Sequence, residues 1–217
     1  MSFKYQYPVA PGQIFSIIRF SEQATVYELV KSLPDNSIVV EVGSALGGTA
    51  CLMAATNPTL SINCVDCFSN NYVSDIWERI DLHGPARGLD TDIDVPAAIN
   101  TVNNFFAVDP TGQLAFEHIT NPYSNITLHK GYSPRDFNNW DKMIDVYLED
   151  ALHENPMLHA NIEFWKNFVK PGGYIVGHDY DIEFYPDVVS EFNELILQGW
   201  IKISLTETLI ILQKPIN

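Results

Sequence analysis

Residues 37–55 combine a short β-branched run, a glycine turn and a run of helix-forming residues. The first part, residues 38–42, consists almost entirely of Ile and Val, which predicts a strand buried on both faces. Gly43 ends the strand, Gly47 and Gly48 open a turn, and residues 49–55 are rich in Ala, Leu and Met, which favour a helix. This order places free N–H groups of the first helical turn over the carboxyl end of the strand. An anionic or polar small molecule can bind there.

Glu41 is the single acid inside this apolar run. A carboxylate is costly to bury unless a partner stabilises it. Two interpretations stay open at this stage. Glu41 is either a structural acid bonded to nearby backbone, or a residue that holds a ligand close to the glycine turn.

The spacing Glu41-x-Gly43-x-x-x-Gly47 resembles the first motif of class I S-adenosylmethionine (SAM) methyltransferases. It matches a nicotinamide-binding turn only in part, because Ala45 stands where that turn has its second glycine. The motif therefore favours a SAM methyltransferase. An NAD(P)-dependent oxidoreductase and a non-catalytic SAM-binding protein remain the alternatives.

Length and charge limit the classes of protein that the chain can represent. With 217 residues, 46% of them hydrophobic, the chain suffices for a single α/β domain over residues 1–217. No apolar run approaches the ~18 residues of a membrane span and no signal-peptide pattern is present, so we expect a cytoplasmic protein. The net charge of −15 disfavours nucleic acid and anionic membranes as partners.

Further apolar runs predict the remaining strands of the sheet. Four runs predict parallel strands, at residues 60–66, 125–131, 143–150 and 174–179. Two more, at residues 200–205 and 209–214, are joined by so short a link that they must be antiparallel. We therefore predict a doubly wound, mostly parallel seven-stranded sheet with a C-terminal antiparallel β-hairpin. This hairpin distinguishes the Rossmann-like methyltransferase fold from a dinucleotide-binding Rossmann domain.

The rest of the chain is predicted to form helices, one long insertion and an N-terminal arm. Helices are predicted at residues 21–33, 155–170 and 187–197, with Pro171 and two glycines ending the second. Residues 69–123 form a long acidic and aromatic insertion with two helices of its own, at 74–82 and 96–107. So long an insertion predicts a cap that sets substrate choice. Residues 1–20 form an N-terminal arm, either for packing or as part of a lid.

Polar residues or glycines lie at the ends of all five predicted parallel strands. They are Glu41 and Gly43, Asp66, Gly131 and Ser133, Asp150, and His178 and Asp179. Ligands of doubly wound sheets bind at the carboxyl ends of the strands. Asp66 lies about twenty residues beyond the glycine turn, where nucleotide-binding folds place an acid that bonds ribose hydroxyls. A turn-capping role for Asp66 is the alternative.

This arrangement resembles the metal-dependent O-methyltransferases of the catechol type and the bacterial macrocin-type sugar O-methyltransferases, over residues 37–68 and 125–214. The resemblance implies a SAM site made of Glu41, Gly43, Ser44, Gly47, Thr49, Asp66, Gly131 and Ser133. It also implies a divalent metal, Mg²⁺ or Mn²⁺, held by Asp150, His178 and Asp179. His153 stands at the position of the catalytic lysine of the catechol enzymes, and Leu152 at the position of the base of the sugar-modifying branch.

The predicted function is the transfer of a methyl group from SAM to a hydroxyl oxygen of a small molecule. His153 is the predicted base, because imidazole titrates near neutral pH, and Asp150 is predicted to act with it. A metal ion at Asp150 and Asp179 could instead acidify the hydroxyl. Assembly into a homo-oligomer is an open expectation.

Overall fold

A computed structural model describes residues 18–69, 100 and 103–216. In chain order the elements are α1 (Phe20–Lys31), β1 (Ile38–Val42), α2 (Gly48–Thr56), β2 (Ser61–Asp66), α3 (Gln113–Thr120), β3 (Ile126–Lys130), β4 (Ile144–Glu149), α4 (Met157–Trp165), β5 (Val169–Gly177), α5 (Pro186–Leu197), β6 (Ile201–Thr206) and β7 (Leu209–Gln213). A 3₁₀ turn at Arg135–Phe137 precedes β4. Most of the predicted arm and cap, including the predicted helix at 74–82, lies outside the described residues.

The seven strands form one sheet in the order β3-β2-β1-β4-β5-β7-β6. Strands β1 to β5 pair in parallel, whereas β7 is antiparallel to both β5 and β6. The prediction of a doubly wound, mostly parallel sheet with a C-terminal hairpin is thus confirmed. The chain order reverses between β1 and β4, and such a reversal opens a ligand crevice at the carboxyl ends of the strands.

Helices cover both faces of the sheet, which explains why the parallel strands are almost continuously apolar. On β1, Val39 points to one buried cluster and Val40 to the other. The first cluster includes residues of α1, α2 and α3, and the second includes residues of α4 and α5. None of the helices in the described part of the chain has the length and hydropathy that a membrane span requires.

The boundary between α4 and β5 differs from the prediction. The helix predicted over 155–170 ends at Trp165, and Pro171 and its two glycines lie inside β5 instead of in a turn. The reason is pairing with β4, because the Ile144 N–H donates to the Phe168 carbonyl at 2.8 Å. A register shift in the β4–β5 pairing then accommodates the glycines.

Helix α3 lies at the end of the region predicted as a cap. Its Phe116 is buried in the first core cluster and lies 5.6 Å, between ring centroids, from Phe68 at the end of β2. Residues 113–120 therefore contribute to the core of the domain. Within the second predicted helix of the cap, residues 103–106 are helical.

Candidate active site

The turn between β1 and α2 packs tightly against the end of β4. Gly43 has a φ of +91°, and a Cβ added there would lie 2.4 Å from the carbonyl oxygen of Asp150. A Cβ at Gly47, whose φ is +81°, would lie 2.7 Å from Thr120 Cγ2 of α3. The two glycines thus permit both a left-handed backbone and close approach of two neighbouring segments. As a result, the start of the turn is held beside the residues that follow β4, and the amino end of α2 is held against α3.

Asp66, the last residue of β2, bonds to the backbone of the β1–α2 turn and of the segment that follows β2. Its Oδ2 accepts a hydrogen bond from the Ala45 N–H at 2.8 Å, and its Oδ1 accepts one from the Phe68 N–H at 2.9 Å. Burial raises the pKa of Asp66, although these backbone donors act in the opposite direction. The structure therefore shows the turn-capping contacts that the sequence left open. Ala45 and Phe68 both have positive φ, at 45° and 42°.

Glu41 is buried on the same face of the sheet as Cys64. The Cys64 Sγ lies 3.6 Å from Glu41 Oε2 and can donate to it. Burial raises the pKa of Glu41 to about 7, and the nearby carboxylates of Asp150 and Asp66 add to that rise. Glu41 therefore exchanges a proton near neutral pH and lies within electrostatic range of both other acids.

A second group of polar side chains gathers at the ends of β4 and β5. His178 Nδ1 lies 2.9 Å from Asp150 Oδ1 and 3.5 Å from Asp179 Oδ2. His153, on the segment after β4, places its Nε2 2.9 Å from the same oxygen of Asp179. Asp179 adopts a φ of 58°, an uncommon backbone conformation for a residue with a side chain. These four residues form the acid–histidine cluster.

His153 has an unsatisfied nitrogen inside this cluster. Its Nε2 is close enough to Asp179 for an ion pair, but it is buried and has no aligned hydrogen-bond partner. The ring of Tyr185 lies 4.5 Å from the His153 ring, at an interplanar angle of 34°. Burial alone would lower the pKa of His153, but Asp179 and Asp150 raise it above its usual value. The imidazole is thus held between an aromatic ring and two carboxylates.

The acid–histidine cluster has the donor atoms of a metal site. Ligand atoms of Asp150, His153 and Asp179 all lie within 4.8 Å of one another. The unsatisfied Nε2 of His153 fits a metal ligand, because a buried polar atom requires a partner. His178 was predicted as the third ligand. Its Nδ1 lies within 3.5 Å of both Asp150 and Asp179, while its Nε2 faces Glu22, so its ligand role stays a prediction beside that of His153.

Glu149 is a buried acid beside this cluster that the sequence analysis did not single out. The hydroxyl of Tyr147 donates to Glu149 Oε2. The N–H groups of Ala151 and Leu152 donate to Oε1, both at 3.2 Å. Burial raises the pKa of Glu149 to about 7. Glu149 therefore fixes the turn that carries Asp150 towards His153. In the sequence, the position of Glu149 directly before Asp150 at the end of a predicted strand was the signal that could have identified it.

A family profile described as a methyltransferase domain matches residues 40–180, more than half of the chain. The chain belongs to this methyltransferase family. Membership implies SAM as the methyl donor. All of the predicted site residues, from Glu41 to Asp179, lie within the matched span.

Solved structures of methyltransferases share this fold. A Staphylococcus aureus protein assigned as a caffeoyl-CoA O-methyltransferase has 14% sequence identity and a TM-score of 0.57, with 92% of this chain and 86% of that chain covered. The O-methyltransferase NovP has 13% identity and a TM-score of 0.57, with 90% and 80% covered. An rRNA methylase from Streptococcus thermophilus has 14% identity and a TM-score of 0.51, with 92% and 99% covered. At such identities the similarity shows the fold alone. A comparison with curated proteins found no match.

The remaining predicted SAM residues of this methyltransferase domain belong to two segments, the β1–α2 turn with the start of α2 and the segment that follows β3. Ser44 belongs to the β1–α2 turn, and Thr49 is buried in the first turn of α2. The Gly131 N–H donates to the Asp66 carbonyl at 2.9 Å, which places the end of β3 beside β2. Ser133 lies further along this segment, and its hydroxyl accepts a hydrogen bond from Trp165 Nε1 at 2.8 Å. That contact anchors Ser133 to α4.

Proposed function

We propose that this methyltransferase domain transfers the methyl group of SAM to a hydroxyl oxygen of a small molecule. The observation that carries the proposal is the close approach of Gly43 to the Asp150 backbone. It joins the glycine turn, where the donor would bind, to the acid–histidine cluster, where a hydroxyl could lose its proton. A donor site and a proton acceptor must be adjacent for the oxygen to attack in line with the sulfur–methyl bond.

The donor would occupy the crevice between β1 and β4. The glycine turn and the amino end of α2 would hold the methionine part of SAM, because free N–H groups and the helix dipole favour a carboxylate there. Asp66 would accept hydrogen bonds from the ribose hydroxyls. Each carboxylate oxygen has more than one acceptor site, so the backbone bonds to Ala45 and Phe68 do not exhaust its capacity.

His153 would remove the proton of the acceptor hydroxyl. A sulfonium methyl group is already activated, so the protein needs only to align the oxygen and accept its proton. Asp179 and Asp150 stabilise the imidazolium that forms, and their charges are the reason that the pKa of His153 is raised. The tilted ring of Tyr185 packs against the imidazole.

A divalent ion would bind to Asp150, His153 and Asp179. Two carboxylates and an imidazole suit Mn²⁺, Fe²⁺ or Zn²⁺ better than Mg²⁺, which prefers oxygen ligands. When bound, such an ion acidifies and orients a hydroxyl. His153 cannot serve as a metal ligand and as the free base at once, so the two roles are alternatives that chelation separates.

The class of acceptor is argued from the charge of the chain, because the structural neighbours differ in their acceptors. NovP and the S. aureus protein carry names of O-methyltransferases, and the S. thermophilus neighbour is named an rRNA methylase. A net charge of −15 repels a phosphate backbone, which disfavours RNA as the acceptor of this chain. A small molecule with a hydroxyl group fits the charge and the cluster better.

Thermal-shift titration tests the donor. S-adenosylhomocysteine (SAH) should raise the melting temperature of the wild type in proportion to the logarithm of its concentration above Kd. NAD at the same concentrations should not. Stabilisation by NAD and none by SAH would contradict the proposal. Release of SAH from SAM in the presence of a panel of hydroxyl compounds would then identify the acceptor, and repeating the assay with EDTA would test the ion.

A further inference from the structure

Glu22 is a fully buried acid outside the span that matches the family. It lies in the first turn of α1, and its relative exposure is 0%. A glutamate at this point of a helix commonly accepts a bond from the capping residue at the helix surface. Burial of its whole side chain exceeds what helix capping requires, and an isolated buried carboxylate would be costly.

The Glu22 carboxylate has four contacts, which join three parts of the chain. Its Oε1 accepts hydrogen bonds from the Thr208 N–H at 2.9 Å and from the Thr208 hydroxyl at 2.8 Å. Its Oε2 accepts one from the Arg19 N–H at 2.8 Å and lies 3.4 Å from His178 Nε2. Glu22 therefore connects α1 and the β6–β7 turn to the end of β5.

His178 continues this connection into the acid–histidine cluster. Its Nδ1 lies 2.9 Å from Asp150 Oδ1, and its backbone N–H donates to the Glu149 carbonyl at 3.1 Å. Ionised carboxylates only accept hydrogen bonds, so a ring with a proton on each nitrogen can donate to Asp150 from Nδ1 and face Glu22 with Nε2. The imidazole thus lies between the two acids.

We propose that Glu22 is a positioning residue. It holds His178 against Asp150 and so fixes the orientation of the Asp150 side chain towards the ion that it would bind. The inference rests on the proposed function, because it assigns Glu22 to the site where the acceptor and the ion would bind. Residues that orient the ligands of a metal contribute strongly to its affinity without touching it. The same contacts make α1 and the β6–β7 turn part of the support of the site.

The test compares Glu22→Gln with Thr208→Val. In the first variant the remaining amide oxygen faces the two Thr208 donors, so the NH₂ group that faces His178 cannot accept a bond from it. The second variant removes only the hydroxyl bond to Oε1. Two measurements are made on the unliganded proteins: the ¹⁵N and N–H proton signals of the His178 ring by NMR, and Mn²⁺ affinity by electron paramagnetic resonance. Both variants should lose stability, since both remove a buried hydrogen bond.

Glu22→Gln should shift both ring nitrogen signals of His178 and weaken Mn²⁺ binding about tenfold or more. Thr208→Val should leave the His178 signals in place and change Mn²⁺ affinity by less than about twofold, because Glu22 still faces His178. Equal effects of the two variants on both measurements would overturn the inference and leave Glu22 as a helix cap.

Glu22→Asp provides a second variant should Glu22→Gln not fold. It keeps the charge and shortens the side chain by one methylene, so the His178 signals should move in the same direction by less. Unchanged His178 signals in this variant would also overturn the inference. Failure of the wild type to bind SAH contradicts the proposed function and not this inference, because the ring signals are measured without the donor.

Discussion

The Nδ1 of His178 and the Oδ1 of Asp150 lie 2.9 Å apart, so the end of β5 is bonded to the end of β4 through an imidazole. Burial alone would lower the pKa of His178, but Asp150, Asp179 and Glu22 raise it well above its usual value. The two ring nitrogens thus face the carboxylates of Asp150 and Glu22, which connects α1 to the acid–histidine cluster.

Asp66→Asn should weaken SAH binding by about tenfold or more, because an amide has one acceptor oxygen in place of two and no charge for the ribose hydroxyls. The matched control is Asp145→Asn at the opposite end of the sheet. Asp145 also accepts a backbone bond, from the Ile38 N–H at 2.7 Å. Isothermal titration should show an unchanged SAH affinity for the control. Equal losses in both variants would indicate that only general stability is affected.

Gly43→Ala should destabilise the protein by about 3 kcal/mol or more, because the added Cβ would meet the Asp150 backbone and φ is positive. Gly199→Ala measures the cost of the positive φ alone. Gly199 has a φ of +99° with nothing within 4 Å of an added Cβ, so the cost there should be only about 1 kcal/mol. Urea denaturation measures both values. Similar costs at the two positions would contradict the close packing of the turn against β4.

His153→Gln should reduce turnover by about 100-fold or more while leaving SAH affinity within about threefold, since the imidazole acts on the acceptor and not on the donor. His159→Gln is the control. His159 also pairs with an acid, 2.9 Å from Glu191, but its side chain is largely exposed and belongs to neither the turn nor the cluster. Full turnover in His153→Gln would remove His153 from both of its proposed roles.

Glu41 should make the stability depend on pH. Its pKa is about 7 in the folded protein, against 4.5 for an ordinary glutamate. Between these values the folded state holds a proton that the unfolded state releases, so the free energy of unfolding falls as pH rises through this window. The total loss is about 3 kcal/mol. Glu41→Gln removes this term, so the variant should gain stability relative to the wild type between about pH 5 and pH 8. Parallel curves for the two proteins would contradict the raised pKa.

Local patterns of the sequence predicted the sheet well. The run at residues 38–42 and its glycine turn predicted β1 and α2, because periodicity and turn chemistry depend on neighbouring residues. The length of the last link fixed the antiparallel hairpin for the same reason. The predicted end of α4 was wrong because pairing with Ile144, more than twenty residues earlier, starts β5 at Val169.

The sequence predicted which residues lie at the ends of the strands, but not the hydrogen bonds and ion pairs that connect them. Asp66, Asp150 and Asp179 were found because each follows or ends an apolar run. Glu22 could not be found in this way, because its partner Thr208 is 186 residues away in the chain. The orientation of the His178 ring depends on that same contact, so a ligand role for His178 could not be weighed against His153 before the structure.

A crystal structure of the protein with SAH tests the central claim most directly. We expect SAH in the crevice between β1 and β4, with its ribose hydroxyls on Asp66, its amino-acid part at the turn that begins with Gly43, and its sulfur facing His153. A structure with SAH bound elsewhere, or with these side chains turned away from it, would contradict the account.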